Sequence, residues 1–112
     1  IMTQALKDIV NHSLEELKAV EIQIIDLKGK ADFADYMVIA GGTSDRHLHA
    51  MAGKVQDDAK AAGFPVLGVE GEDSRDWVLV DLGDIVVHLM RPETRQLYAL
   101  DKLWSLPPKR EE

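Results

Sequence analysis

Tyr36-Met37-Val38-Ile39-Ala40-Gly41-Gly42-Thr43-Ser44-Asp45-Arg46-His47-Leu48 is the stretch that decides how this chain folds. Tyr36 to Ala40 is short, compact and apolar, which reads as a buried strand, and Gly41-Gly42 ends it. Thr43 or Ser44 then offers a side-chain oxygen as the N-cap of a helix. Leu48, Met51, Ala52, Val55, Ala59 and Ala62 recur at spacings of three and four and form its buried stripe. Gly63 supplies a left-handed stop, Pro65 forbids continuation, and Val66 to Val69 reads as the next short strand. A helix between two strands is the connection that parallel strands require.

Working outward, Leu6, Ile9, Val10, Leu14, Leu17 and Val20 keep helical spacing and predict a first helix with Thr3 as its cap. Ile22 to Leu27 reads as a short strand, turned by Lys28-Gly29-Lys30. On the other side, Trp77 to Leu82 and Ile85 to Met90 read as two strands joined by a hairpin at Gly83-Asp84. Pro92 opens a last helix with Leu97, Leu100 and Trp104 turned inward. The order is α-β-β-α-β-β-β-α. It predicts a layered α/β sandwich with a mixed sheet of about five strands. Val78-Leu79-Val80 and Ile85-Val86-Val87 are apolar at consecutive positions, on both faces, so helices should cover much of the sheet. The expected unit is a single domain over residues 1–106, followed by a tail over 107–112 that opens on Pro107-Pro108.

The chain has 112 residues, of which 46% are hydrophobic and 29% charged, enough for one closed core without staples. No apolar run approaches the roughly 20 residues of a membrane span, and no secretory leader opens the sequence. The absence of cysteine excludes disulfides, thiolate metal sites and cysteine nucleophiles. The expected setting is the cytoplasm. Thirteen basic residues against 20 acidic ones give a net charge of −7, which repels nucleic acid. No basic patch offsets it, since Lys109-Arg110 is followed at once by Glu111-Glu112. No direct DNA contact and little direct RNA contact are expected. The charge suits a basic protein partner, or serves solubility alone.

Candidates for chemistry are few. Glycines before a helix N-terminus can receive an anion, but Gly41 to Ser44 lacks the lysine and spacing of a phosphate loop and fails G-x-G-x-x-G. A strand, a Gly-Gly turn and a helix also occur in nucleotidyltransferases, which place two carboxylates one residue apart on the following strand. Asp81 and Asp84 are three apart across a turn and do not converge in that way. The other reading of Gly41–Ser44 is a capped helix after a tight turn. His47 and His49 are about 200° apart on a helix, so they share no metal. His88 sits mid-strand among apolar neighbours, and no serine lies in a G-x-S-x-G elbow. The residues therefore assign no catalytic group, metal or cofactor. Trp77, Tyr98 and Trp104 cluster in the C-terminal third beside Glu70-Gly71-Glu72-Asp73-Ser74-Arg75-Asp76. Aromatics ringed by carboxylates suit contact with a basic protein surface. Trp104 reads better as core, while Trp77 and Tyr98 fit either role.

Two separated stretches carry a family resemblance. Asp35-Tyr36-Met37-Val38-Ile39-Ala40 leading into Gly42-Thr43-Ser44-Asp45-Arg46-His47 is the first. The second runs Gly68-Val69-Glu70-Gly71, then Trp77 through His88, then Arg95, Tyr98, Leu100, Leu103 and Trp104. Together they resemble the ribosomal silencing factor family (Iojap, RsfS), with Gly41 and Asp101 as small departures. The resemblance implies a nucleotidyltransferase-like fold without the catalytic carboxylates, and a homodimer rather than an enzyme. It implies binding to the fourteenth protein of the large ribosomal subunit, on the face that meets the small subunit. Subunit joining would be hindered, chiefly when nutrients are scarce. Trp77, Asp81, Leu82 and Tyr98, all on the second stretch, are the expected docking residues. A metal-dependent nucleotidyltransferase and a ribosome-assembly adaptor are the alternatives.

Overall fold

Helix α1 spans Met2–Glu16 and buries Leu6, Val10 and Leu14, the i, i+4, i+8 stripe that its sequence spells out. In this computed structural model, which describes residues 2–98, the helix already includes Thr3, so Thr3 is not its cap. Its hydroxyl donates instead to the Asp84 carboxylate at 3.2 Å. The expectation that Val20 continues the helical stripe is also overturned. The chain leaves the helix through Lys18 at φ 58°, with Lys18 N–H and Ala19 N–H donating to the Glu15 and Leu14 carbonyls. Val20 then begins strand β1, Val20–Asp26, and is 36% exposed.

Strand β2, Tyr36–Gly41, pairs antiparallel with β1 and leads into α2, Asp45–Ala61. Ser44 caps α2, accepting the His47 N–H on its hydroxyl, and Gly63 at φ 89° turns the chain away at the other end. Leu48, Met51, Ala52, Val55 and Ala59 are buried as expected, but Ala62 falls in the helix's C-terminal cap and is exposed. Strand β3 is shorter than its apolar run, Gly68–Glu70, while β4, Trp77–Asp81, and β5, Ile85–Met90, form the expected hairpin around Gly83 at φ 89°. Helix α3 runs Pro92–Tyr98. Leu97 is 77% exposed, not inward. Arg95 takes the inward direction and donates to the Val20 carbonyl at 3.1 Å, and two residues on, a helix faces the other way. Leu100, Trp104 and the proposed tail lie outside the described residues.

The five strands lie in the order β1-β2-β5-β4-β3. β2 and β5 are parallel, and β5-β4 and β4-β3 are antiparallel, so β3 also runs parallel to β2. The α2 crossover thus joins parallel strands that are not neighbours, packing over β5 and β4 on its way to the sheet edge. Side chains alternate by strand period. Val38, Ala40, Val78, Val80, Ile85, Val87 and Leu89 point to the layer of α1 and α2. Met37, Ile39, Val86 and Met90 point to the other face, where Ile25, Leu27 and Ala34 join them and Trp77 and Leu79 pack at the margin. All six residues of β5 are buried, as expected of a central strand covered on both faces. The two helices are tied by Ser13, which donates to Asp58 at 2.6 Å, and by Lys54, which bridges Glu16 and Asp58 at 3.0 and 3.1 Å. Among the described residues, no helix is long and apolar enough to cross a membrane.

Candidate docking site

The turn at Gly41–Ser44 is built to seat a helix. A Cβ on Gly42 would collide with Leu48 Cδ2 and meet Met51 Cε, so the space its missing side chain leaves is filled by α2 itself. The free donors at the helix start are taken locally. Ser44 Oγ accepts from His47 N–H at 3.1 Å, Asp45 accepts from Arg46 N–H at 2.8 Å, and His47 Nδ1 accepts from Thr43 N–H at 3.0 Å. That fixes the His47 proton on Nε2, which donates to the Leu17 carbonyl at 2.7 Å and ties the end of α1 to the start of α2. Of the two readings of this turn, the geometry is that of the capped helix. Asp81 and Asp84 turn to separate partners, Asp81 to the Gly83 N–H at 2.9 Å and Asp84 to Thr3.

The face opposite α1 and α2 presents different chemistry. Trp77, Leu79 and Asp81 alternate onto it from β4, in register with Met90, His88 and Val86 of β5. Trp77 is half-buried, and its indole N–H donates to His88 Nδ1 at 2.9 Å, the rings 5.7 Å apart. His88 is 7% exposed, and burial pushes its imidazole down to about 4. It is therefore neutral near neutral pH, with its proton on Nε2 because Nδ1 accepts. Beside the pair, Glu70, Gly71, Trp77 and Leu79 line a shallow hollow of about 270 Å³.

The loop over residues 71–76 starts at Gly71, which lines this hollow, and leads into Trp77. Gly71 adopts φ 81°, and a Cβ there would strike the Trp77 carbonyl oxygen, so both conformation and space require glycine. Ser74 Oγ accepts from the N–H groups of Asp76 and Trp77 at 3.0 and 3.1 Å, and Arg91 N–H donates to the Asp76 carbonyl at 2.9 Å. Glu70, Glu72, Asp73 and Asp76 outnumber the single Arg75 here, so an aromatic surface with an apolar hollow has an acidic border.

Of the four expected docking residues, Trp77 and Asp81 share this face. Leu82 does not: it is 6% exposed and belongs to the core under α1 and α2. One step along a strand reverses the side chain, and the Leu82 N–H to Ile85 carbonyl bond fixes that direction. Tyr98 is the last residue of α3, at the limit of the described chain. Reading the sequence missed Leu79, His88 and the folded loop. Strict alternation from Trp77, with the hairpin register, would have found the first two. The Gly71-to-Ser74 turn carried no comparable signal.

Comparison with known proteins places this architecture in context. The profile of a family described as "Ribosomal silencing factor during starvation" matches residues 2–112. A ribosomal silencing factor of Zymomonas mobilis is 48% identical over 91% of this chain and 77% of its own. That of Haemophilus influenzae is 41% identical over 90% of this chain and 99% of its own. A mouse protein named for mitochondrial assembly of the large ribosomal subunit is 42% identical over 88% of this chain and 45% of its own. The crystal structure of a Chromobacterium violaceum protein superposes with a TM-score of 0.89 at 35% identity, covering 97% of this chain and 89% of that one. A match along nearly the whole chain, with relatives this similar over most of their own length, is decisive: the chain belongs to the ribosomal silencing factor family.

Proposed function

We propose that this protein represses translation by docking on the large ribosomal subunit and sterically blocking the small one. Membership in a family of ribosomal silencing factors supports the ribosome as its place of action. The observation that carries the docking reading is the Trp77 face, an aromatic, partly apolar surface bordered by carboxylates on a chain of net charge −7. Such a surface selects a basic protein and discourages adhesion to bare RNA. The fourteenth protein of the large subunit, at the subunit boundary, is the proposed partner. Trp77, Asp81 and Tyr98 are the proposed contacts, with Leu82 supporting β4 from the core. The free protein works in the cytoplasm as a homodimer.

The mechanism needs no bond to be made or broken. A protein bound at the subunit boundary lowers joining in proportion to its occupancy, and occupancy follows its concentration relative to Kd. Sedimentation of purified subunits tests this. Saturating protein should shift associated ribosomes toward free subunits, and unchanged joining would overturn the proposal. The mouse relative's name favours a second reading, an adaptor in assembly of the large subunit. Both readings use the same docking face. They part on mature subunits, where an assembly adaptor leaves joining unaffected while large-subunit precursors accumulate in cells that lack it.

A further inference from the structure

His49 is the side chain whose surroundings the docking reading leaves unused. It sits in the first turns of α2, and its two ring nitrogens face two carbonyl oxygens: Nδ1 faces Asp45 at 2.7 Å and Nε2 faces Glu72 at 2.5 Å. A carbonyl oxygen only accepts, so both ring nitrogens must donate, and only the imidazolium carries both protons. Asp45 belongs to the same helix, but Glu72 belongs to the acidic loop that borders Trp77. The ring therefore fastens that loop to α2.

We infer that His49 is a positioning residue for the docking face: its imidazolium clamps to α2 the 71–76 loop, which runs from Gly71 at the hollow into Trp77. The inference rests on the docking reading above for its effect on binding, but not for the clamp. The groups facing the ring favour its charge. The Asp45 and Glu72 carbonyls hold His49 above its ordinary range; burial opposes them, and the carboxylates of the same two residues add smaller support. Arg46, on the same turn, and Arg75, in the loop, carry the opposing charge, and Asp73 adds to the negative side. Because the imidazolium is the folded form, the clamp is complete below the ordinary histidine pKa near 6.5. It is lost as pH rises through the raised value. Loss of one proton sets a nitrogen lone pair against a carbonyl oxygen and releases the loop.

Two measurements on the 112-residue chain test this separately. Amide-exchange protection factors across residues 71–76, corrected for intrinsic rates, should fall between pH 6 and pH 8.5. In His49→Ala they should be low throughout. His49→Arg, a permanently charged multiple donor, should keep them high throughout. Parent protection that does not change with pH would overturn the clamp. Affinity for purified large subunits should weaken about fivefold across the same range in the parent, as expected for one lost hydrogen bond. It should be flat and weak in His49→Ala, and flat and tight in His49→Arg. The same pH slope in His49→Ala as in the parent would overturn the role in docking. If Trp77→Ala binds with parent affinity, the docking face itself is misplaced, whatever the exchange data show.

Discussion

Trp77 and His88 form a pair in which each side chain sets the state of the other. The indole N–H needs an acceptor, so Nδ1 must stay unprotonated, and burial holds the imidazole at about 4 against an ordinary value of 6.5. The fold thus prefers neutral His88, and protonation favours the unfolded chain. The associated stability is fully present above pH 6.5 and is lost as pH falls toward 4, on the order of 3 kcal/mol in all. Urea titrations across that interval should show the decline, and His88→Phe should flatten it. The Asp58 carboxyl, held down first by the Ser13 hydroxyl, and the Glu16 carboxyl, held down by Lys54, lose their contributions mainly at lower pH. Trp77→Ala should weaken binding to the large subunit about thirtyfold or more, with a melting curve beside it to show that the domain persists. Asp81→Asn keeps an acceptor for the Gly83 N–H, so it should act mainly on association rate and salt dependence. Among these residues Trp77 was legible as a candidate because it stands out by type. His88 was read only as a mid-strand imidazole, because its bond to Trp77, eleven positions away, shows only once the two strands are set in register.

The elements differ in how much local sequence determines them. Helix α2 has a capping serine, an unbroken apolar stripe and a terminal glycine, all local signals, and it was read with only Ala62 misplaced. Ser44→Ala should cost about 1 kcal/mol in thermal or denaturant unfolding, the usual worth of such a cap. The β4–β5 hairpin was also legible, from two apolar runs joined at Gly83-Asp84. The end of α1 was not, because Leu17 and Val20 keep helical spacing past Glu16, where the helix stops ahead of the left-handed Lys18. Leu82 was named beside Asp81 at one end of the sheet, but the two side chains point to opposite faces. The hairpin locates a residue along the sheet, while the face depends on counting from a register that only the paired strand supplies. Two glycines show the difference between strain and collision. Gly63→Ala meets open space and bears only the strain of φ 89°, about 1 kcal/mol. Gly71→Ala bears similar strain and also strikes the Trp77 backbone. It should lower the melting temperature further and disturb the docking loop, and a melting temperature equal to that of Gly63→Ala would contradict this account.

For the molecule as a whole, the charge of −7 acts at a distance that no single contact reaches. Association with a basic ribosomal surface should slow as salt is raised, with dissociation changing less. Stopped-flow rates over a series of ionic strengths would show it, and a salt-independent association rate would contradict it. The topology was legible as an order of elements but not as an order in space. Nothing local states that β5 inserts between β2 and β4. That insertion has a consequence in time. Among the described residues, the strand in the middle of the sheet is also the last in sequence, and β2 must wait for a partner whose first residue, Ile85, lies 49 positions beyond Tyr36. Until Met90 has left the ribosome that synthesises it, the nascent chain has two helices, a β1–β2 ribbon and no centre. A chain halted at Gly83 should therefore be cut readily by protease, and one extended through α3 should resist. Each copy would then pass part of its synthesis without the sheet that its helices need, beside ribosomes of the kind it is proposed to silence.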